Sequence, residues 1–480
     1  MSTALPAPCD EALAAGTQPC FNPHPRATLA ATILGSSVAF IDGSVINVAL
    51  PALARDLGAG PSGLSWTINA YLLPLGALIL LGGAAGDHFG RRRLFLIGLA
   101  IFTTASLLCA IAPSLNWLLI GRGLQGLGAA MLMPNSLAIL GASFTGEARG
   151  AAIGSWAAVG ALAGALGPLL GGWLVDGIGW RTIFLLNVPI AAAAAYLAWA
   201  YVLESRDHRG SRPLDWTGAA LATAGLGLLT WALTSASEAD AATAPLWGAA
   251  AAGFALLAGF IWLEGKRGDQ AIMPLAMFAT PAFIGLTLFT FFLYGALGGL
   301  IVLLPFLLIK IENWPALSAG AALLPLPILI GCGSRMMGQL TGRYGGRLPL
   351  AIGSAIVAIG LLQYAWIGQS GIDYWSQIFP ATVIVGIGMG ISVAPLTTTV
   401  IGSVDADHVG AASGFNSAVA RIAGLIATAL LGFVFALEAS PEAFLAGFRT
   451  AALIGAALAA AGAVSAFTLI GPTAAKNETV

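Results

Sequence analysis

The sequence predicts an all-α integral membrane protein with fourteen transmembrane helices, in which two six-helix halves are related by pseudo-two-fold symmetry and two further helices are inserted between them. Three observations carry this reading. Of 480 residues, 58% are hydrophobic and 9% charged, with a mean hydropathy of +0.89, whereas an ordinary soluble domain is about 25% charged. Fourteen apolar runs approach or exceed the length of about 20 residues that a helix needs to cross a hydrocarbon core. Two segments also recur at nearly one spacing. GAAGDHFGRR (Gly83 to Arg92) aligns with GQLTGRYGGR (Gly338 to Arg347) at an offset of 255, and EARGAAIG (Glu147 to Gly154) with DHVGAASG (Asp407 to Gly414) at an offset of 260.

Taken in order, residues 1–26 hold Pro, Ala and scattered polar groups without a basic start and apolar core, so they are expected to be a disordered cytoplasmic tail and not a signal peptide. Span one (28–50) is apolar around a single acid, Asp42, and span two (64–86) runs into the link GAAGDHFGRRR. Span three (94–112) starts after three arginines; span four (115–140) contains Arg122; span five (150–174) is rich in glycine; span six (181–203) opens with WRTIFLLNVP. These six form an N-terminal bundle over 27–203. Spans seven (215–235) and eight (245–263) lie in a connecting stretch, 204–264. Spans nine (281–308), ten (317–340), eleven (348–368), twelve (375–399), thirteen (410–437) and fourteen (447–470) make the C-terminal bundle, 265–471, followed by a cytoplasmic tail, 472–480. An even insertion leaves both halves in the same orientation, the parallel repeat of many secondary transporters, with the substrate path between the halves.

Charge sets the orientation. Of the 20 Lys and Arg residues, thirteen fall in loops on the side of the N-terminus, four (Arg55, Arg181, Lys310, Arg449) on the other, and three (Arg122, Arg335, Arg421) inside spans. Positively charged loops stay inside, so both termini are expected in the cytoplasm of a multi-pass cell-membrane protein. Net charge is −1, which implies no nucleic-acid partner. Cys9 and Cys20 precede the spans and Cys109 and Cys332 lie in apolar runs, so neither a disulfide framework nor a metal site is visible. No GxxxxGK[ST] loop or nucleophile elbow occurs. The expectation is a non-enzyme without cofactors, working as a monomer on a small-molecule substrate.

Polar residues inside the spans are the functional candidates. A carboxylate near the middle of a span costs about 2.5–3.5 kcal/mol on insertion scales, so Asp42 calls for a partner or a task. At 100° per residue Asp42 shares an arc with Gly35, Ser36, Ala39, Gly43 and Asn47, opposite Phe40, Ile41, Val45 and Val48, so it faces protein or cavity. At 1.5 Å per residue Asp42 lies about 12 Å, and Arg122 about 10 Å, below the same membrane face. The two are expected to pair and to form the proton-coupling site; a permanent ion pair fixing two helices is the alternative. In the link after span two, Gly83 and Gly90 allow close backbone approach while Asp87 pairs with Arg91 or a helix end. Arg92 and Arg93 are explained by membrane anchoring alone. In span five, Gly164, Gly167, Gly171 and Gly172 make a side-chain-poor face, and Pro168 breaks a backbone hydrogen bond and bends the helix. Candidates for the substrate cavity are Asn47, Asn69, Gln125, Trp156, Phe292, Tyr294, Asn416 and Arg421, although amides that satisfy neighbouring helices and aromatics that merely pack are the commoner case. Asn135 and Gln363 are further intramembrane amides, and Arg335 reads as a snorkelling residue. Arg421, about 11 residues into its span, is harder to dismiss. With one acid against two arginines in the core, neutral, zwitterionic or monovalent cargo is expected.

These segments resemble a known family. GAAGDHFGRRR is similar to motif A of the major facilitator superfamily, RGLQGLGAA (Arg122 to Ala130) to its motif B and GPLLGGWL (Gly167 to Leu174) to its motif C. With IDGSVINVALP and WRTIFLLNVP, the set resembles the fourteen-span drug:proton antiporters over residues 28–470. The resemblance implies the major facilitator fold, and a proton-coupled efflux antiporter of small, mostly apolar compounds that works by alternating access. It assigns gating to Gly83, Asp87, Gly90 and Arg91, and the antiporter motif to Gly164, Gly167, Pro168, Gly171 and Gly172. His88 stands where the family usually has Arg, which implies a latch that is weaker or pH-dependent. Ala163 stands where motif C commonly has Gly. A proton symporter importing a metabolite, and a non-transporting membrane sensor or scaffold, remain the alternatives.

Overall fold

The computed structural model describes residues 23–206, 215–237, 243–268, 271, 273–368, 372–404, 409–437 and 440–471. Residues 1–22 and 472–480, where tails are expected, lie outside them, as does Asp407 of the second repeat. Among the described residues fourteen helices are long and apolar enough to span a membrane. They are α1 (Pro25–Leu57), α2 (Pro61–Phe89), α3 (Arg91–Ala110), α4 (Leu115–Ser143), α5 (Gly146–Gly177), α6 (Thr182–Tyr201), α7 (Trp216–Ser235), α8 (Thr243–Arg267), α9 (Pro281–Ile311), α10 (Ala316–Ala322 and Pro325–Tyr344), α11 (Arg347–Tyr364), α12 (Tyr374–Gly402), α13 (Val409–Leu430 and Gly432–Phe435) and α14 (Pro441–Leu469).

Local chemistry starts these helices where the loops leave them. Pro opens the first turn of α1, α2, α9 and α14, where its missing N–H is no loss. Asp215 Oδ1 accepts the Gly218 amide at 2.6 Å ahead of α7, and Ser440 Oγ accepts the Ala443 amide at 3.3 Å ahead of α14. Span eight runs past its expected end at 263 to Arg267, which brings Glu264 into the helix. The charges there do not stop it, because Lys266 lies over the Trp262 ring at 3.7 Å and Glu264 accepts the Met273 amide at 2.6 Å.

The two halves share one packing plan. In the first, α1 packs on α5 and α6, α4 on α2 and α3, and α3 on α6; in the second, α9 packs on α13 and α14, α12 on α10 and α11, and α11 on α14. Each contact of one half has its counterpart eight helices later, which is the parallel repeat in three dimensions. The halves meet where α2 crosses α13 and, symmetrically, where α5 crosses α10, with α1 touching α9 between them. The inserted pair packs on itself and then leans on α2 and α13 through α7; α8 is the outermost helix, with only 6% of its apolar window buried. With fourteen crossings, the described chain ends lie on one face, called here the termini face, and the loops after odd-numbered helices on the far face.

Candidate functional site

Asp42 is wholly enclosed at the centre of the first half, and five helices supply its surroundings. Its Oδ1 accepts from Gln125 Nε2 on α4 and from Asn187 Nδ2 on α6, each at 2.9 Å, and its Oδ2 accepts from Arg122 Nη1 on α4. The guanidinium also donates to the Thr67 carbonyl on α2 at 3.1 Å and to Gln125 Oε1 at 2.8 Å, and its carbon lies 4.6 Å from the centre of the Tyr71 ring. On α3, Ser106 Oγ accepts from Gln125 at 2.9 Å and from Asn187 at 3.3 Å. Tyr71 itself donates to the Ala39 carbonyl, one turn from Asp42 on α1, at 3.1 Å. A buried pair of this kind is held by the bonds that fill its remaining lone pairs. Arg122 Nη2 is buried without an acceptor, so the network is one bond short on its cationic side.

The glycines of α5 connect this centre to the other half. At Gly167 there is no room for a Cβ beside Ser44 and Ile41, the residues flanking Asp42 and Gly43 on α1, and Gly171 presses on Val45 and Val48. On the neighbouring side Gly172 meets the Ala316 backbone, and the Pro168 carbonyl meets Gly320, both on α10. Gly164, by contrast, faces open space. The far-face end of this contact is closed by Asp176, which accepts the first amides of α10 from Ala316 at 3.2 Å and from Leu317 at 2.9 Å.

At the termini face Arg91 Nε donates to Asp87 Oδ1 at 2.9 Å, across the sharp link at Gly90, whose φ of 112° is open to glycine and strained for other residues. Gly83 lies in contact with Pro134 of α4. Glu204, beyond the end of α6, accepts the Arg92 and Arg93 amides at 3.0 and 3.2 Å and so caps α3. His88 is exposed, edge-on to Phe89 at 4.7 Å. The matching side chains of the second repeat, at 338–340 and 342–344, lie outside the described set, as does that of Arg335.

The remaining candidates separate by location. Gln125 is enclosed inside the first half, where its amide holds Asp42 and Arg122. Asn69 bridges the halves: with its amide oriented to satisfy both groups, it donates to the Leu425 carbonyl and accepts from the Ala429 amide, each at 3.3 Å. Trp156 Nε1 donates to Ser36 Oγ at 2.9 Å, and Ser36 donates to Ser136 at 2.8 Å, tying α5 to α1 and α4. Asn416 accepts from Thr290 at 2.6 Å within the second half, Phe292 packs near Gly462 of α14, and Asn47 Oδ1 is buried without a donor. Arg421 reaches across the α2–α13 crossing to Met133 Sδ of α4 at 3.8 Å. Sequence reasoning did not single out Asn187, Ser106, Tyr71 or Glu204. Of these only Asn187 had a signal, in the segment WRTIFLLNVP.

The profile of the Major Facilitator Superfamily matches residues 32–428. The chain belongs to the major facilitator superfamily. It is a multi-pass membrane protein of a transporter family that acts on small molecules. Among curated relatives it is 34% identical over 418 residues to multidrug resistance protein Stp of Mycobacterium tuberculosis (strain CDC 1551 / Oshkosh), covering 85% of this chain and 75% of that one. It is 33% identical to the methylenomycin A resistance protein of Bacillus subtilis (strain 168), covering 85% and 87%, and 30% identical to the tetracenomycin C resistance and export protein of Streptomyces glaucescens, covering 86% and 76%. Among solved structures, a D-xylose–proton symporter superposes with a TM-score of 0.66 at 16% identity, covering 94% of this chain and 98% of that one. That likeness concerns the fold alone.

Proposed function

We propose that this chain is a proton-driven antiporter that exports small, mostly apolar organic compounds from the cell by alternating access. The observation that carries the reading is the Asp42 centre. The carboxylate of Asp42, wholly buried within the first half, faces a permanent cation, and the helix that bears it is pressed, through Gly167 and Gly171, against the helix that meets the other half. The drug-resistance and export names of the relatives supply the direction of transport.

Protonation of Asp42 removes the counter-charge of Arg122, whose guanidinium then rests on Thr67, Gln125 and the Tyr71 face. A proton taken up at the far face must be released at the termini face, so the protonated centre goes with closure of the Pro168–Gly320 and Gly172–Ala316 seal at the far face. Loss of the proton re-forms the Asp42–Arg122 pair, and loading of cargo from the termini side then opens that seal. In this scheme Gly83, Asp87, Gly90 and Arg91 form the latch of the termini face, which the charge bias makes cytoplasmic. The protein sits in the cell membrane and works as a monomer.

The test is Asp42→Asn in proteoliposomes. The variant is expected to fold, to bind cargo and to exchange it down its gradient, but to lose all accumulation driven by an imposed pH gradient. Full gradient-driven accumulation would remove Asp42 from the coupling role. A variant that fails to fold would make the pair structural.

A further inference from the structure

Arg421, like Arg122, is a cation within a span, and the two are held differently. Arg122 is fully enclosed, with a carboxylate, two carbonyl-type acceptors and an aromatic face around it. Arg421 lies twelve residues beyond Val409, about 18 Å along α13. It is half-buried at the crossing of the two halves, its Cβ opposite Gly76 of α2, and it donates to the Met133 thioether, a weak acceptor. The helices packed on α13 are α2, α7, α9 and α12. The stretches Pro61–Gly86, Trp216–Ser235, Pro281–Leu308 and Tyr374–Gly402 contain no Asp or Glu, and neither does α4, Leu115–Ser143. Among the described residues, the phenols of Tyr71 and Tyr294 are close enough to interact with Arg421. Asp42, the acid of α1, already has both oxygens occupied by three donors.

A guanidinium does not give up its proton, and a membrane-embedded cation without a counter-charge is costly. A counter-charge can be supplied by something that enters the path between the halves. We propose that Arg421 is the recognition point for an anionic group on the cargo, so that the compounds exported are apolar molecules carrying one carboxylate or ionised phenol. Gly76 lets α2 pack closely on the Cβ of Arg421, which fixes the base of the side chain at the crossing, and the planar fork suits the two oxygens of a carboxylate. This rests on the reading of the chain as an exporter and narrows the expected neutral, zwitterionic or monovalent cargo to the anionic class.

Binding of pyrenebutyrate and of its methyl ester to the purified protein in detergent, followed by tryptophan-to-pyrene energy transfer, tests the proposal without any gradient. The wild type is expected to bind the acid about tenfold or more tightly than the ester. Arg421→Gln is expected to lose that preference while its affinity for the ester stays the same, and Arg421→Lys, which keeps the charge, to retain part of it. Equal affinity of the wild type for acid and ester, no measurable affinity for either, or a preference that survives in Arg421→Gln overturns the proposal. The Asp42→Asn experiment reads coupling and not binding, so failure of one leaves the other to be judged separately.

Discussion

At Asp42 the two oxygens receive three side-chain donors, and only one of these is a cation. The amides of Gln125 and Asn187 therefore share the work of holding the charge, with Ser106 orienting both. Replacing Asn187 by Leu leaves Oδ1 with a single donor, at a cost of about 1–3 kcal/mol for an underbonded buried group. The expected outcome is a lower unfolding temperature in detergent and proton-driven export cut by about tenfold, with Asn187→Asp doing worse because it adds a second acid beside the first. Unchanged export in Asn187→Leu would place the amide outside the coupling centre. Asp42 and Arg122 were legible in the sequence because a charge inside a span is so costly that its presence needs a reason. Asn187, Ser106 and Tyr71 were not, since an amide or hydroxyl in a helix has many inexpensive partners, its own backbone included. Gln125 illustrates the same ambiguity from the other side: its residue type suggested cargo, and its position made it a support for the carboxylate.

The fifth helix shows why glycine content alone says little and placement says much. Gly160 and Gly167 lie against Phe40 and Ser44 of α1, Gly172 against the α10 backbone, while Gly154 and Gly164 face open space. A side chain at Gly172 has backbone in its way, which cannot rotate aside as a flexible side chain can. Gly172→Leu is accordingly expected to force α5 and α10 apart at the far face and to depopulate the sealed state. A cysteine pair at Asp176 and Leu317, whose carboxylate and amide lie 2.9 Å apart, should cross-link readily in the parent protein and at most about a tenth as fast in the Gly172→Leu background. Equal cross-linking in the two backgrounds would show that the seal does not depend on this close approach. The break within α10 and the extension of α8 to Arg267 were not legible, because each depends on what lies beside the helix. Glu264 reads as the end of a span until the Met273 amide is seen to bond one of its oxygens.

Across the whole molecule, fourteen spans and their division into repeats were visible from apolar run length and from two short aligned segments, since both are consequences of the membrane as solvent. The crossings that join the halves were not, because small residues that permit contact look alike whether or not contact is made. Charge counting gives an expected orientation, and labelling tests it. Ser114, in the exposed link between α3 and α4, and Thr145, between α4 and α5, lie on opposite faces. In intact cells a membrane-impermeant maleimide is expected to modify Ser114→Cys and to reach Thr145→Cys only after permeabilisation; the reverse pattern would invert the assignment.

The two crossings between the halves are equivalent by symmetry but not in their surroundings. Beside α2 and α13 stands α7, with Gly227 near Leu73 and Ser237 against Gly432, and α8 stands outside that again. Among the described residues nothing comparable flanks α5 and α10. A compound approaching from the lipid therefore meets α7 and α8 before it can reach α2 and α13, but meets α5 and α10 with no helix in between, so the inserted hairpin gives a symmetric pair of crossings two unlike borders with the bilayer.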